Sequence, residues 1–426
     1  MHLRLKILIS AYACEPGKGS EPEVGWQWGL QLARFHDVTV LTRANNRSGI
    51  ERELAAMPRD QPVPKFVYHD LGKLQLRLKR TLGIPQLYYI FWQHSAARVI
   101  RDLNAKAGFD LLHHLTFAGY RYDTAIWRQG LLNIWGPVGG MESIPFSLLP
   151  WRHPRQLCYE VLRNMDNFWQ RAPFHLLRAR ASATSLILAS TRETVELFRE
   201  IGVESLLMPT VGLKMDEVKP RQVKPPAGPL KLLFCGQIIA LKGIELALYA
   251  LRESGTDAVF TLYGDGSFLK NSKSIARRLK MADRVDFRGR VPRATLLDVY
   301  ANFDVFLFPS LHDSGGFAVL EAMANALPVI CFQTGGTGVS VNQDCGRAVK
   351  FGSRRETISR LASAIRFYDE NRDLVAVHGL AASRRVREEY DWDKKGEGMN
   401  AIYQGFFRGG PRIEENAESR NLKLET

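Results

Sequence analysis

Short segments rich in β-branched and aromatic residues alternate with helical stretches throughout the chain, and this alternation constrains the fold more than any other feature. Consecutive parallel strands require crossover connections, usually helices, so the pattern predicts an α/β protein with two doubly wound parallel sheets. In the first half, the predicted strands lie near 4–10, 37–42, 64–69, 109–114, 131–136 and 185–189. In the second half, they lie near 230–235, 257–263, 284–287, 304–308 and 328–332.

A Pro-rich segment divides the two halves. Residues 219–229 read KPRQVKPPAGP and precede a fresh strand, which is typical of a linker. With 426 residues and 45% apolar content, the chain can bury two domain-sized cores. The sequence therefore predicts an N-terminal domain over 1–213, a linker over 214–229, a second domain over 230–392 and a polar tail over 409–426.

The segment 309–328 is the most informative stretch for function. It contains the pair Gly315-Gly316, which follows a predicted strand and opens a predicted helix over 317–326. Ligands of open α/β sheets bind in the crevice beyond the carboxyl ends of the strands. Asp313 and Glu321 lie eight positions apart there, so their carboxylates can reach different hydroxyls of one polyol ligand. An ordinary strand–loop–helix with two solvated acids explains the spacing equally well.

A second motif follows the strand that ends at Gly236. Gln237 begins a loop, and Lys242-Gly243 leads from it into an apolar helix. A lysine at a helix entrance combines its charge with unpaired amides and the helix dipole, which suits an anionic ligand. Taken alone, however, this lysine is better explained as a surface residue.

The first βα connection contains a glycine-bearing loop. Gly17 and Gly19 allow the backbone to approach a ligand closely at a helix N-terminus. The segment Ser20-Glu-Pro-Glu23 predicts a capping box at the start of that helix. The Gly-x-Gly-x-x-Gly fingerprint of dinucleotide sites is absent, so this loop does not indicate a dinucleotide.

Two further candidates follow strands in the first half. His113 and His114 end one strand, and because successive strand residues face opposite ways, at most one of them faces a cleft. The next strand leads through Trp135 into two glycines that end at Gly140, and Glu142 lies just beyond. A core histidine, a tight turn and a solvated acid are the plain alternatives, and the sequence leaves them open.

Together these motifs resemble those of retaining glycosyltransferase family 4, within the glycosyl transferases group 1. That family has two acids separated by seven residues and followed by Ala-Met-Ala, as in 313–324. It also has a Gly-Arg-x4-Lys-Gly motif, which 236–243 matches except that Gln237 replaces the Arg. The resemblance implies the GT-B architecture, two Rossmann-like domains that face each other across a cleft, with a final helix over 393–408 that returns to the first domain.

The resemblance also implies roles for single residues. Glu321 is expected on the ribose of the nucleotide sugar, Asp313 near the transferred sugar, where Glu is commoner, and Lys242 on the donor diphosphate. His113 or His114 is expected beside the transferred sugar. The expected donor-binding set is completed by Gly17, Gly19, Gly236, Gln237, Gly315, Gly316 and Phe317. Candidates to replace the missing Arg are Arg288, Arg290 and Arg293. No metal and no cofactor are expected.

The implied function is retaining transfer of a sugar from a nucleoside diphosphate sugar to a hydroxyl of a glycan or lipid-linked acceptor, in polysaccharide or glycoconjugate biosynthesis. Among enzymes, the alternative is a sugar-nucleotide epimerase or a phosphorylase of the same fold. An alternative of another class is a basic protein that binds nucleic acid or a membrane and carries a degenerate site. The intact Lys242 and Glu321 argue against that alternative, so no nucleic-acid partner is expected.

Charge and cysteine content indicate the kind of partner and the cellular compartment. The chain has 58 basic and 44 acidic residues, a net charge of +14, which favours an anionic partner. Five scattered cysteines form no disulfide framework, and no run of 18 or more apolar residues appears, so a cytoplasmic protein is expected. The basic and aromatic stretch 73–101 suits an interfacial helix on an anionic inner-membrane face, which would make the protein peripheral. A domain helix with a solvated basic face explains that stretch equally well.

Overall fold

The computed structural model describes residues 3–72, 85–151, 154–170, 176–218 and 227–407. Within these ranges the chain forms two parallel sheets, one of seven strands and one of six. The first sheet, in the order β3-β2-β1-β4-β5-β6-β7, contains β1 (Lys6–Ala11), β2 (Asp37–Thr42), β3 (Lys65–Tyr68), β4 (Leu111–Thr116), β5 (Asn133–Val138), β6 (Leu186–Ala189) and β7 (Leu206–Leu207). The second, in the order β10-β9-β8-β11-β12-β13, contains β8 (Lys231–Cys235), β9 (Val259–Tyr263), β10 (Val285–Gly289), β11 (Val305–Phe308), β12 (Val329–Phe332) and β13 (Gly346–Val349).

Helices alternate with these strands along the chain. Those of the first half are α1 (Ser20–Ala33), α2 (Arg47–Ala56), α3 (Pro85–Ala107), α4 (Pro154–Trp169), α5 (Leu176–Ser182) and α6 (Arg192–Glu200). Those that follow are α7 (Ile244–Ser254), α8 (Leu269–Arg278), α9 (Arg293–Val299), α10 (Phe317–Ala324), α11 (Gly335–Ser340), α12 (Arg354–Glu370), α13 (Arg372–Arg385) and α14 (Trp392–Phe407).

The predicted α/β architecture with two Rossmann-like sheets is confirmed, and its errors are local. The sequence-based prediction missed β7, which has only two residues, and β13, in which Gly346 and Arg347 hide the apolar character of a strand. The helix predicted over 317–326 ends at Ala324, since Ala326 has a left-handed φ of 54° that a helix does not allow.

The strand order of each sheet reverses beside its first strand, between β1 and β4 in one sheet and between β8 and β11 in the other. Because β8 and β11 pair directly, the loops that follow them emerge side by side at the carboxyl edge of the second sheet. These loops carry Lys242 and Asp313. The motifs that the sequence singled out therefore lie at a topological switch point, where open α/β sheets bind ligands.

The chain crosses between the two sheets twice, and the crossings lie side by side. The Leu213 amide donates to the Tyr390 carbonyl at 2.8 Å, and the Trp392 amide donates to the Leu213 carbonyl at 3.0 Å. Beyond them, α14 contacts α1, and the Gln404 side chain bonds the backbone of Leu3 at 3.1 and 2.6 Å. Helix α14 thus returns to the first sheet, while the domain limits read from the sequence stay predictions.

A buried lysine lies beside this double crossing. The Lys395 ammonium donates to the Pro209 carbonyl at 2.5 Å and lies 5.2 Å and 5.9 Å from the ring centroids of Trp28 and Trp392. Only 4% of the residue is exposed. Burial disfavours the charged form and lowers the pKa of Lys395 to about 7.

Candidate active site

Lys242 and Asp313 meet at the switch point of the second sheet. The Lys242 ammonium lies 2.5 Å from Asp313 Oδ2 and 5.0 Å from the ring centroid of Phe308. Asp313 Oδ1 accepts hydrogen bonds from the amides of Gly315 and Gly316, at 3.2 and 2.7 Å. One ammonium and two amides, which we name the anion cradle, thus converge on one carboxylate. The same donors suit a phosphate, which also accepts from amides at a helix N-terminus.

A glycine explains why the two loops approach so closely. Gly243 has a left-handed φ of 65°, and a Cβ atom placed there would lie 1.9 Å from the Pro309 carbonyl oxygen. Any other residue would push the loop after β8 away from the loop after β11. The Lys-Gly pair of the sequence motif therefore has a physical reason: the glycine lets the neighbouring lysine reach the anion cradle.

Glu321 lies within α10, and two side chains hold its carboxylate. Arg293 Nε donates to it at 2.7 Å and the Tyr300 hydroxyl at 3.4 Å. The Glu321 side chain is 12% exposed, whereas that of Arg293 is 55% exposed. Tyr300 is buried, and burial together with the neighbouring Cys235 and Glu321 raises its pKa, so it stays a neutral donor.

The three arginine candidates for the diphosphate differ in their contacts. Arg293 contacts Glu321, Arg288 contacts Asp286, and the Arg290 side chain is exposed. Around the cradle itself, the remaining predicted donor residues lie on the two switch-point loops: Gly236 and Gln237 are exposed after β8, and Phe317 begins α10, half-buried.

The first glycine loop is built differently from the prediction. Gly17 and Gly19 have left-handed φ angles of 69° and 64°, and Gly19 occupies the N-cap position of α1. The capping box predicted for Ser20 and Glu23 is wrong, because Ser20 itself has a φ of 51° and makes no cap. Glu23 instead accepts from the Gly17 amide at 2.7 Å and from the Gln27 side chain. A carboxylate therefore already uses one amide of this loop.

Both histidines of β4 are buried and bonded by the protein. His113 Nε2 donates to the Gly136 carbonyl at 2.8 Å, and its Nδ1 accepts from the Tyr403 hydroxyl at 2.6 Å. His114 Nε2 lies 3.1 Å from the Tyr89 hydroxyl. Burial lowers the pKa of His113 to about 4 and that of His114 to about 3, so both are neutral at pH 7. These contacts are those of core histidines, and the catalytic role stays a prediction.

A buried carboxylate joins the two halves at this site. Glu142, from the loop after β5, is 1% exposed, and its Oε2 lies 3.0 Å from His312 Nε2 in the loop after β11. Arg163 Nη2 lies 3.6 Å from the same oxygen. Burial works to raise the pKa of Glu142, but the hydrogen bond and charge of His312, with the charge of Arg163, outweigh it and lower that pKa. Among the described residues, Glu142 Oε1 has no hydrogen-bond partner.

A second contact between the two halves involves Glu193. Glu193 Oε1, on α6, accepts from the Thr334 hydroxyl at 2.9 Å and from the Gly335 amide at 3.0 Å. The sequence motifs did not indicate Glu193, His312 or Arg163. Adjacency to Asp313 was the signal available for His312, whereas the contacts of Glu193 with Thr334 and of Arg163 with Glu142 join residues far apart in the chain.

The stretch 73–101 lies only partly within the described residues. Residues 73–84 fall outside them, and the remainder belongs to α3, where Tyr88, Tyr89 and Trp92 are buried against the first sheet. In this described part, Tyr88, Tyr89 and Trp92 form core whereas Phe91 is 56% exposed, so the interfacial helix stays a prediction. No helix in the described part of the chain is long and apolar enough to span a bilayer. Nor do three or more His, Cys, Asp or Glu side chains of that part form a metal-binding group.

The family model that matches this chain covers mainly its second half. Residues 215–375 match the model of the family Glycosyl transferases group 1. The chain is 28% identical over 170 residues to a putative colanic acid biosynthesis glycosyltransferase WcaL of Escherichia coli K12, covering 38% of this chain and 42% of that protein. It is 27% identical over 243 residues to a D-inositol 3-phosphate glycosyltransferase of Xylanimonas cellulosilytica, covering 52% and 57%. The chain thus spans about half the length of these relatives.

Solved structures establish the architecture. Sucrose-phosphate synthase from Thermosynechococcus elongatus superposes with a TM-score of 0.64 at 18% identity, covering 96% of this chain and all of that one. Anabaena Alr3699/HepE in complex with UDP and glucose superposes with a TM-score of 0.57 at 15% identity, covering 94% of this chain and all of that one. At such identities the likeness concerns the fold, which is that of the GT-B glycosyltransferases.

Proposed function

We propose that the protein is a retaining glycosyltransferase, which moves a sugar from a nucleoside diphosphate sugar to a hydroxyl of a glycan or lipid-linked acceptor. One observation carries this proposal. The anion cradle and Asp313 converge at the switch point of the second sheet. They lie inside the segment that matches the glycosyltransferase family model. Glu321 lies on the helix that Gly315 and Gly316 open.

The anion cradle would receive the donor diphosphate. A phosphate oxygen would replace the Asp313 carboxylate at Lys242 and at the two glycine amides. The same donors would then stabilise the charge that develops on the diphosphate as the bond to the sugar breaks. The departing phosphate would accept the proton of the acceptor hydroxyl, so this mechanism needs no separate general base.

The two acids would hold the rest of the donor. Glu321, kept in place by Arg293 and Tyr300, would accept hydrogen bonds from the ribose hydroxyls. Asp313, displaced from the cradle, would accept hydrogen bonds from hydroxyls of the transferred sugar. Catalysis would then come from positioning and from electrostatic stabilisation of an oxocarbenium-like transition state.

Thermal shift against a panel of UDP-, GDP- and ADP-sugars tests the proposal, because a ligand that binds only the folded state raises the midpoint of unfolding. UDP-glucose is the first choice, since the Anabaena neighbour holds UDP and glucose. Lys242→Ala serves as the matched variant and should lose the stabilisation. A panel with no stabilising compound, together with salt-dependent binding to polynucleotides, would instead favour a nucleic-acid-binding protein.

Product analysis then separates the enzyme classes. NMR of the product should show the anomeric configuration of the donor, and an inverted product would contradict the retaining mechanism. An epimerase would convert the donor without any acceptor, and a phosphorylase would require inorganic phosphate.

A further inference from the structure

Helix α4 turns its apolar side to solvent and its polar side to the protein. A surface helix normally has the opposite arrangement. Its buried side chains are polar and recur every three or four residues: Glu160, Arg163, Asn167 and, just after the helix, Gln170. Its most exposed large side chains are Tyr159, Leu162, Met165, Phe168 and Trp169, which are 54% to 77% exposed.

Hydrogen bonds fix this orientation. Arg163 Nη1 donates to Glu160 at 3.1 Å, and Asn167 Nδ2 donates to the Ser143 hydroxyl at 2.9 Å and to the Met141 carbonyl at 3.1 Å. Asn164 donates to the Ile144 carbonyl at 2.8 Å. The polar side of α4 thus holds the loop 140–144, which carries Glu142. Turning the helix over would break these bonds, so the outward apolar side follows from the way the site is supported.

Neighbouring residues extend the apolar surface. Phe146 and Trp151 are 69% and 51% exposed, with ring centroids 4.6 Å apart in an edge-to-face pair. A groove of about 600 Å³ lies between Phe146 and the helix, and its lining includes Leu149, Val161 and Met165. We name this surface, formed by Phe146, Trp151 and the exposed side chains of α4, the α4 face. A contiguous exposed apolar patch of this kind marks an interaction site.

The charges near the α4 face indicate which kind of partner it binds. Of the two acids among the described residues of α4, Glu160 is buried and Asp166 contacts Arg121. Arg178, on the next helix, is exposed. The chain as a whole has a net charge of +14. An apolar face on a chain of net positive charge complements an anionic lipid surface, whereas contact with a second copy would bring two positively charged chains together.

We propose that the α4 face docks the protein on an anionic bilayer, with its aromatic and aliphatic side chains at the level of the lipid headgroups. Tyr and Trp favour that depth, because each has an apolar body and a polar edge. Docking would bring the loop that carries Glu142 close to the membrane. That a lipid-linked acceptor enters there rests on the proposed function, whereas docking does not.

Flotation with vesicles of phosphatidylcholine, with or without phosphatidylglycerol, tests the proposal. The wild type should bind the anionic vesicles and bind them less as salt rises. The variant Leu162→Gln/Met165→Gln/Phe168→Gln should lower the partition coefficient by about tenfold or more, since it removes apolar contact with the bilayer. Val377→Gln/Leu380→Gln is the matched control, because these residues are 56% and 53% exposed on α13 and should leave binding unchanged.

Tryptophan fluorescence gives a second measurement. Trp151 and Trp169 are exposed, whereas the other six tryptophans are buried or half-buried. Anionic vesicles should therefore shift the emission to the blue, and Trp151→Phe/Trp169→Phe should remove the shift while binding persists. Wild type that ignores anionic vesicles at low salt, a triple variant that binds like wild type, or a dimer that the triple variant converts to monomer would each overturn the proposal. Stabilisation by nucleotide sugars, measured on the same variants, separates failure of docking from failure of the proposed function.

Discussion

Glu142 and His312 lie in loops that follow strands of different sheets, and they are hydrogen-bonded to each other at 3.0 Å. His312 immediately precedes Asp313, whose carboxylate occupies the anion cradle. The position of the catalytic candidate in the second half is therefore tied to a buried acid of the first half. The bond forms only when the two halves are together, so it stabilises their contact.

Replacing this acid should weaken the protein in a pH-dependent way. Glu142→Gln removes a charged hydrogen bond and should lower the free energy of unfolding at pH 7 by about 1.5–3 kcal/mol. Because the folded state lowers the pKa of Glu142, its ionised form contributes stability above the unfolded value, near 4.5, and loses it as the pH falls further. The wild type and the variant should therefore converge in urea unfolding below about pH 4.5. A difference that stays the same at all pH values would contradict the role of the charge.

Asp313 should compete with the donor diphosphate. In the structure its carboxylate holds Lys242 and two amides, so Asp313→Asn should free a cation and raise affinity for the nucleoside diphosphate about tenfold, while transfer falls. Calorimetric titration and a transfer assay measure the two effects separately. Asp286→Asn removes an acid that contacts Arg288 in the same half and should change neither. If Asp313→Asn binds the nucleotide more weakly than the wild type, the Asp313 carboxylate does not compete with the diphosphate for the anion cradle.

Glu321 and Lys242 should affect different parts of the donor. Glu321→Gln should reduce affinity for both the nucleoside and its diphosphate, because both contain the ribose, by about 1.5–3 kcal/mol. Lys242→Ala should weaken only the diphosphate. Titration of each variant with both compounds gives four affinities, and equal losses for the two compounds in Lys242→Ala would show that the diphosphate site is misplaced.

Alanine substitutions at two glycines with the same backbone conformation distinguish the cost of backbone strain from the cost of a steric clash. Gly243 and Gly255 have φ angles of 65° and 72°, but only at Gly243 does an added Cβ meet another atom, the Pro309 carbonyl oxygen. Gly255→Ala should cost about 1–2 kcal/mol of stability from the left-handed conformation alone. Gly243→Ala should cost more, about 3 kcal/mol, and should also impair nucleotide binding as Lys242 is displaced. Equal midpoints in chemical unfolding would mean that the loop moves without penalty.

Lys395 should make stability rise with pH. Its pKa of about 7 in the folded state lies below the ordinary value of 10.5, so between these values the unfolded chain binds more protons than the folded one. The free energy of unfolding then increases with pH, by up to about 1.4 kcal/mol per pH unit. Lys395→Met should remove this increase. Chemical unfolding of the wild type and of Lys395→Met at pH 7, 8.5 and 10 measures this increase in the free energy of unfolding. Parallel pH profiles of the two proteins would show that the lysine stays charged between the two tryptophans.

The sequence predicted the fold where periodicity and turn residues agree, and it predicted the part of the site that one half builds alone. Lys242 and Asp313 follow strands that flank a reversal of strand order, and sheet geometry brings their loops together. Glu142, Glu193 and His312 are different, since their contacts depend on how the two sheets are placed relative to each other. Helix α4 shows a further limit, because its periodicity reveals an apolar side without saying which side faces the protein.

The paired crossings at Leu213 and Asp391 have a mechanical consequence. Two adjacent chain segments joined by two backbone hydrogen bonds form a hinge, because rotation about their common direction keeps those bonds while sliding of one half against the other breaks them. A hinge of this kind favours rotation of the two halves about one axis. A single cut in the Pro-rich linker would also leave the halves joined through the second crossing, so such a nicked protein should travel as one particle until it is denatured.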